Sequence, residues 1–358
     1  MDKKKIVLSG IRATGNLHLG NYYGALSKFI KMQDDYDCRF FIADLHALTT
    51  HPDPKMIHEN VKEILAEYIA AGLDPEKNVI YVQSDVPEIS EMYLLMNMHV
   101  GIGELMRTAS FKDKARKALG ISRPTSENES EEEIEKDIIG NETNSKRVNA
   151  GLLTYPTLMA VDILIHKADF VPVGKDQEQH LELTRRFARR FNSFYGVDYF
   201  GEPVNFNFGG KAVKVPGLDG SGKMGKSEGN CIYLIDEEKV LRKKVMRAVT
   251  DQGPTEPNSP VSEPINNLFS LMELVSEPST LQHFKDAYAD CSIRYGDLKK
   301  QLAEDILKVT LPIRQRILDI RDNDEYLSRV ARQGAERARE YAASTLADVK
   351  EIMGLRKI

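Results

Sequence analysis

The chain has no tryptophan and only three cysteines in 358 residues. Cys38, Cys231 and Cys291 lie far apart and form no CxxC pair. That pattern excludes a disulfide framework and offers nothing for structural zinc, and it points to a reducing, cytoplasmic setting. No apolar run approaches the roughly 20 residues of a membrane span. The basic start Met1-Asp2-Lys3-Lys4-Lys5 is followed by no long apolar core, so neither a signal peptide nor a membrane contact is expected. Positive charge is not in surplus either. Lys and Arg number 49 against 54 Asp and Glu, for a net charge of −5. Any contact with nucleic acid must therefore come from a local patch. What remains is an ordinary soluble composition, 41% hydrophobic and 29% charged, with length enough for two domains.

Strand and helix signals alternate in the first two-fifths. Short apolar runs at Ile6–Ser9, Phe40–Ala43, Val79–Gln83 and Phe170–Val173 read as strands. Between them lie helical patterns such as Met56–Ala71, with Ile57, Val61, Ile64, Leu65 and Ile69 at helical spacing. Such alternation predicts a parallel sheet with right-handed crossovers. Ligands of such sheets bind beyond the carboxyl ends of the strands. Gly15–Asn21, Asp44–Thr49 and Gly174–His180 follow strands directly and should converge on one crevice. The stretch 122–145 is acidic and polar, with little to bury, and reads as an insertion or loop. From residue 231 onward helical patterns dominate: Asp236–Val249, Ile265–Val275, Pro278–Ala289, Tyr295–Ile320 and Asp324–Ile352. The division predicted is a Rossmann-like catalytic domain over 1–230 and an α-helical domain over 231–358.

Four stretches carry chemistry. His18-Leu19-Gly20-Asn21 sits in a glycine-punctuated turn between a strand and a helix, a place suited to phosphate. Its plainer reading is a βα turn whose glycines serve only backbone geometry. Tyr155–Leu164 is an apolar helix holding one carboxylate, Asp162, which must find a partner or shift its pKa. Val171–His180 is a strand ending in a polar turn that opens a helix. Asp219–Asn230 is glycine-rich and carries Lys223 and Lys226. Flexible backbone plus ammonium groups suits a polyphosphate, and a solvated turn with surface lysines is the plainer alternative. It lacks the P-loop spacing.

Together these stretches resemble the class I aminoacyl-tRNA synthetases. His18-Leu19-Gly20-Asn21 is similar to the HIGH-like signature, and Lys223-Met224-Gly225-Lys226-Ser227, 205 residues later, to the KMSKS-like one. "LMAVDIL" and "VPVGKDQEQHLELTRRFARRFN" resemble the tryptophanyl branch of that family and differ from the tyrosyl branch. The resemblance implies that an amino-acid carboxylate attacks the α-phosphate of ATP, with Mg²⁺, before the aminoacyl group passes to tRNA(Trp). It assigns catalysis to His18, Lys223 and Lys226. It places ATP against Arg12, Ala13, Thr14, Gly20, Asn21, Gly174, Lys175, Asp176, Val215, Lys223, Met224, Gly225, Lys226 and Ser227. It places L-tryptophan against Asp162, Met159, His46, Val171, Val173 and Gln177, with Asp162 accepting the indole N–H. No protein metal ligands and no iron–sulfur cluster are expected, since only Cys291 falls in the helical tail from about Ile265. A homodimer is implied, joined through the second half of the Rossmann region.

Three positions depart from the family pattern. Arg12 stands where glutamine is usual and could clamp a phosphate or a carboxylate. Gly225 replaces a serine, and Lys175 an acidic residue. Two basic clusters, Lys239/Arg242/Lys243/Lys244/Arg247 and Arg185/Arg186/Arg189/Arg190, are read as solvated faces or as contacts for tRNA or a second subunit. A nucleotidylyltransferase shares the histidine turn but lacks the distant lysine loop and the helical tail. A non-catalytic paralogue is disfavoured by the presence of His18, Gly20, Lys223 and Lys226. The missing tryptophan suits an enzyme whose own synthesis would not need its product, and carries no weight.

Overall fold

The computed structural model describes residues 4–120, 147–174, 177–206 and 214–355, with Lys117 described in its backbone alone. Five strands form one sheet: β1 (Ile6–Arg12), β2 (Asp37–Ala43), β3 (Val79–Val82), β4 (Phe170–Val171) and β5 (Val204–Asn205). Their order is β3-β2-β1-β4-β5 and every pairing is parallel. β1 and β2 run in register from Ile6 opposite Asp37 to Arg12 opposite Ala43. The α/β architecture read from the alternating signals is the one observed. β1 extends past Ser9 to Arg12, which carries the end of the strand to the mouth of the crevice. β5 has no counterpart in the sequence reading, because two residues show no periodicity.

The crossover helix Pro54–Ala71 is bounded as its sequence dictates. The Asp53 side chain accepts the Lys55 N–H at 3.0 Å, Pro54 opens the first turn, and Gly72 closes it at φ 121°. The tail forms the helices Glu238–Met246, Glu263–Val275, Pro278–Ala289, Tyr295–Arg321 and Asp324–Ile352, close to the expected spans. They do not have a core to themselves. One apolar cluster runs from Val7, Phe40 and Ile80 in the sheet through Ile232 to Leu298, Ile313 and Ile317. Arg316 Nε donates to the Ala70 carbonyl at 2.6 Å, tying Tyr295–Arg321 to the crossover helix. The last helix lies on β3 so closely that a Cβ on Gly334 would stand 1.7 Å from the Ile80 carbonyl oxygen. Only glycine permits that approach. Beside it, Arg39 is buried with its guanidinium 3.7 Å from the Tyr341 ring centroid, donating to Asp37 at 2.8 Å.

Candidate active site

The first signature lies at the carboxyl end of β1. His18 caps the short helix Leu19–Asn21. Backbone groups of the turn are held from several sides. The His18 N–H donates to Asn21 Oδ1 at 3.1 Å. The Leu19 N–H reaches the Ile232 carbonyl and the Leu234 N–H the Leu17 carbonyl, each at 2.9 Å. The Leu17 N–H donates to Glu67 Oε2 at 2.7 Å. Residues 232–234, just beyond the lysine loop, therefore run alongside the histidine turn. Gly20 is needed first by His18 itself: a Cβ there would meet the His18 ring at 2.7 Å. Burial, then the charges of Lys226 and Lys223, lowers the His18 pKa from 6.5 to about 4. The imidazole is thus neutral at pH 7 and can donate a hydrogen bond without a charge.

The second signature faces the first across a cleft of about 630 Å³, lined among others by Arg12, Thr14, His18, Asn21, Lys223 and Lys226. Asn230 holds its shape. Its amide donates to Asp219 Oδ1 at 2.9 Å and to the Lys223 carbonyl at 3.1 Å, and its Oδ1 accepts the Gly225 N–H at 2.9 Å. Asn267, from the helical tail, donates to the Gly220 carbonyl at 2.8 Å. Met224 is buried and pairs its N–H with the carbonyl of buried Val215 at 2.8 Å. Lys226 Nζ donates to the Gly15 carbonyl at 2.5 Å, so the two signatures touch. Lys223 is exposed at the rim. A Cβ on Gly225 would fall 2.0 Å from a Glu228 carboxylate oxygen. A serine there would need the exposed Glu228 to swing aside, which is what the departure at 225 means in space.

Asp162 is 1% exposed on the helix Ala150–Ile165. His46 Nε2 lies 2.9 Å from its Oδ2, and the Gln83 amide donates to both oxygens at 2.8 and 2.9 Å. The His46 N–H turns back to Gln83 Oε1 at 3.4 Å. Burial pushes the Asp162 pKa up, and the bonds from His46 and Gln83 pull it down. A carboxylate offers about four acceptor positions, so these two donors leave room for a ring N–H. Met159, Val171 and Val173 belong to the apolar cluster around this carboxylate's helix. Arg12 joins the two halves of the site: it lines the cleft and donates from Nη2 to the His46 carbonyl at 3.3 Å. Its buried Nε has no partner among the described residues.

Ala13 is buried, with its carbonyl accepting from Asn60 at 3.3 Å. Gly174 accepts the Gln177 N–H at 2.9 Å at the mouth of the helix Glu178–Tyr195. Lys175, Asp176 and the whole acidic stretch 122–145 lie outside the described residues. The arginine cluster is paired: Arg185, Arg186 and Arg189 with Glu182, Arg189 also with Glu202, and Arg190 with Glu104. Arg242 likewise pairs with Glu238 and Glu304, and Lys244 with Asp236. Sequence reasoning passed over Gln83, Glu67 and Lys114. Lys114 stands 3.6 Å from the Tyr155 ring centroid, and burial, then Arg12, lowers its pKa to about 8. Nothing local marks any of the three, since each is a common polar residue in a helix or at a strand end.

A parallel sheet, a histidine turn and a lysine loop facing each other over one cleft define a nucleotide-dependent α/β enzyme. Residues 1–310 match the family described as tRNA synthetases class I (W and Y), and the chain belongs to that family. The tryptophan–tRNA ligase of Porphyromonas gingivalis is 59% identical over 350 residues, covering 98% of this chain and 99% of that protein. That of Fusobacterium nucleatum is 38% identical, covering 97% of each. Among solved structures, the tryptophanyl-tRNA synthetase of Campylobacter jejuni complexed with ADP and tryptophan superposes with a TM-score of 0.80 at 30% identity, over 98% of this chain and 100% of that one. A tyrosyl-tRNA synthetase from Archaeoglobus fulgidus, at 18% identity and TM-score 0.58, shares the fold.

Proposed function

We propose that the chain activates L-tryptophan with ATP and transfers it to tRNA(Trp). A carboxylate oxygen of tryptophan attacks the α-phosphorus, the bond to the β-phosphate breaks, and pyrophosphate leaves. The aminoacyl group then passes to the terminal ribose of the tRNA, releasing AMP. The nucleophile is already an anion at neutral pH. The protein therefore supplies position and charge stabilisation.

The observation that carries this reading is Asp162. It is a buried carboxylate with acceptor capacity to spare, set among apolar residues and linked through His46 and Arg12 to the cleft between the two signatures. Asp162 would accept the indole N–H, with Met159, His46, Val171, Val173 and Gln177 around the ring. A substrate without that donor would leave the acceptor unpaired. Neutral His18 would donate toward the α-phosphate. Lys226 would leave Gly15 and, with Lys223, neutralise the departing pyrophosphate. Arg12, Ala13, Thr14, Gly20, Asn21, Gly174, Lys175, Asp176, Val215, Met224, Gly225 and Ser227 complete the ATP site in this reading. Mg²⁺ would arrive on the triphosphate, whose oxygens are its natural ligands. Among the described residues no group of three or more His, Cys, Asp or Glu side chains could hold a metal.

The helical part, 231–358, would bind tRNA, and the reaction, needing ATP and tRNA together, belongs in the cytoplasm. A homodimer is supported by exposed Leu94, Met98, Ile102 and Phe194. Phe194 packs on His99, with ring centroids 5.3 Å apart, so these side chains sit on neighbouring elements. The test is amino-acid-dependent ATP–pyrophosphate exchange with Trp, Tyr and Phe in parallel. Exchange with Trp alone, lost in Asp162→Ala, is the expected result. Exchange with Tyr, or an unaffected Asp162→Ala, would overturn the assignment.

A further inference from the structure

Among the described residues, Glu67 is the one fully buried carboxylate near the cleft that the mechanism does not use. It is 0% exposed on the helix Pro54–Ala71, between Ala66 and Tyr68, which are also 0% exposed. An ionisable group in such a place costs free energy unless it is matched by donors. Its two oxygens are matched, and both donors come from the histidine turn. Oε2 accepts the Leu17 N–H at 2.7 Å, and Oε1 accepts the Asn16 side-chain amide at 3.1 Å. On the other side of the same turn, Lys226 Nζ holds the Gly15 carbonyl at 2.5 Å. Residues 15, 16 and 17 are thus gripped by Lys226 from the cleft and by Glu67 from beneath. The remaining supports of the turn are backbone bonds to residues 232 and 234 and the Asn21 side chain. None of them takes the Leu17 N–H. A residue with no acceptor at 67 would strand that donor in an apolar surround.

We propose that Glu67 is a positioning residue for ATP. Through Leu17 and Asn16 it fixes the height and tilt of the turn, so that the His18 ring and the Gly20 backbone face the triphosphate. Burial lowers the Lys226 pKa, and the Glu67 charge opposes that fall and favours the ammonium that grips Gly15. The amino-acid pocket hangs on other elements, the helix Ala150–Ile165, β4 and the turns after β2 and β3 that carry His46 and Gln83, so its affinity does not depend on Glu67. The inference rests on the reading that this cleft binds ATP.

The test is tryptophan-dependent ATP–pyrophosphate exchange at pH 8, with KM measured for both substrates in the parent, Glu67→Leu, Glu67→Gln and Asn16→Ala. Glu67→Leu removes both acceptors and should raise KM for ATP about tenfold while leaving KM for tryptophan within about twofold. Glu67→Gln keeps an acceptor for the Leu17 N–H and should restore most of the ATP affinity. Asn16→Ala loses one of the two bonds and should raise KM for ATP about threefold, and it stands in if Glu67→Leu does not fold. Equal rises in both KM values, or no rise for ATP in Glu67→Leu or in Asn16→Ala, would overturn the positioning role. A parent protein without exchange would instead overturn the functional reading beneath it.

Discussion

Glu67 and Asp162 are both buried carboxylates, and their surroundings treat them differently. Asp162 keeps two strong donors and lies among residues expected to touch substrate. Glu67 is lifted by burial from its ordinary 4.5 to about 7, despite the Leu17 and Asn16 hydrogen bonds and the Lys226 charge, with Glu63 one turn away adding to the rise. Its native state therefore holds the proton more tightly than its unfolded state. The stability it contributes is complete below about pH 4.5 and is lost as the pH rises through about 7. A Glu67→Gln variant lacks this dependence. Its unfolding free energy relative to the parent should rise by about 3 kcal/mol between pH 4.5 and 7.5, then level off, in urea titrations at a series of pH values. His18 titrates near 4, so it should leave the exchange rate flat between pH 6 and 8; a step near 6.5 removed by His18→Asn would contradict this. Asp162 was legible in the sequence because a lone carboxylate in an apolar helix has nowhere to be solvated. Glu67 was not, because a glutamate within an amphipathic helix reads as its solvated face.

At the scale of the element, the helix Asp324–Ile352 shows how contact overrides propensity. Alanine in place of a helical glycine normally gains up to about 1 kcal/mol. At Gly334 the added carbon would meet the Ile80 carbonyl at 1.7 Å, a backbone atom that cannot rotate away. Overpacking of this kind costs about 1–3 kcal/mol or more, so the clash wins. Gly334→Ala should lower the urea midpoint of the full chain, while the same change at Gly296, with nothing within 4 Å of its Cβ position, should leave it level or raise it. The Asp53 cap offers a milder test: Asp53→Ala should cost about 1 kcal/mol without changing exchange kinetics. The cap, the opening proline and the closing glycine of that helix depend only on neighbours two or three residues away, yet apolar spacing alone set its start at Met56, two residues late. The need for glycine at 334 was not readable from sequence, because it is set by a strand 254 residues earlier.

For the whole molecule, the apolar side chains left outside the core are the informative ones. Leu94, Met98, Ile102 and Phe194 are exposed, on or at the ends of the helices Pro87–Asn97, Ile102–Met106 and Glu178–Tyr195. If two copies meet there, Met98→Asp together with Phe194→Asp should give a monomer by light scattering while the parent is a dimer. Two monomeric proteins, or two dimeric ones, would place the interface elsewhere or nowhere. Arginines 185, 186, 189 and 190 share three glutamates, so most of their charge is already met on the surface. Screening by salt should therefore change the fold's stability by less than about 1 kcal/mol per pair.

The sequence by itself determined the alternation of strands and helices, the two signature loops and the carboxylate in the apolar helix. Each is written in local spacing, or in a residue type too costly to bury without purpose. Tertiary structure alone decided which donors satisfy Asp162, where Lys226 rests, and that Glu67 lies under the histidine turn. It also decided that the helical tail shares a core with the sheet. Those facts depend on segments brought together from 50 to more than 200 residues apart, and hydrogen-bond geometry at that separation exists only once the chain has packed.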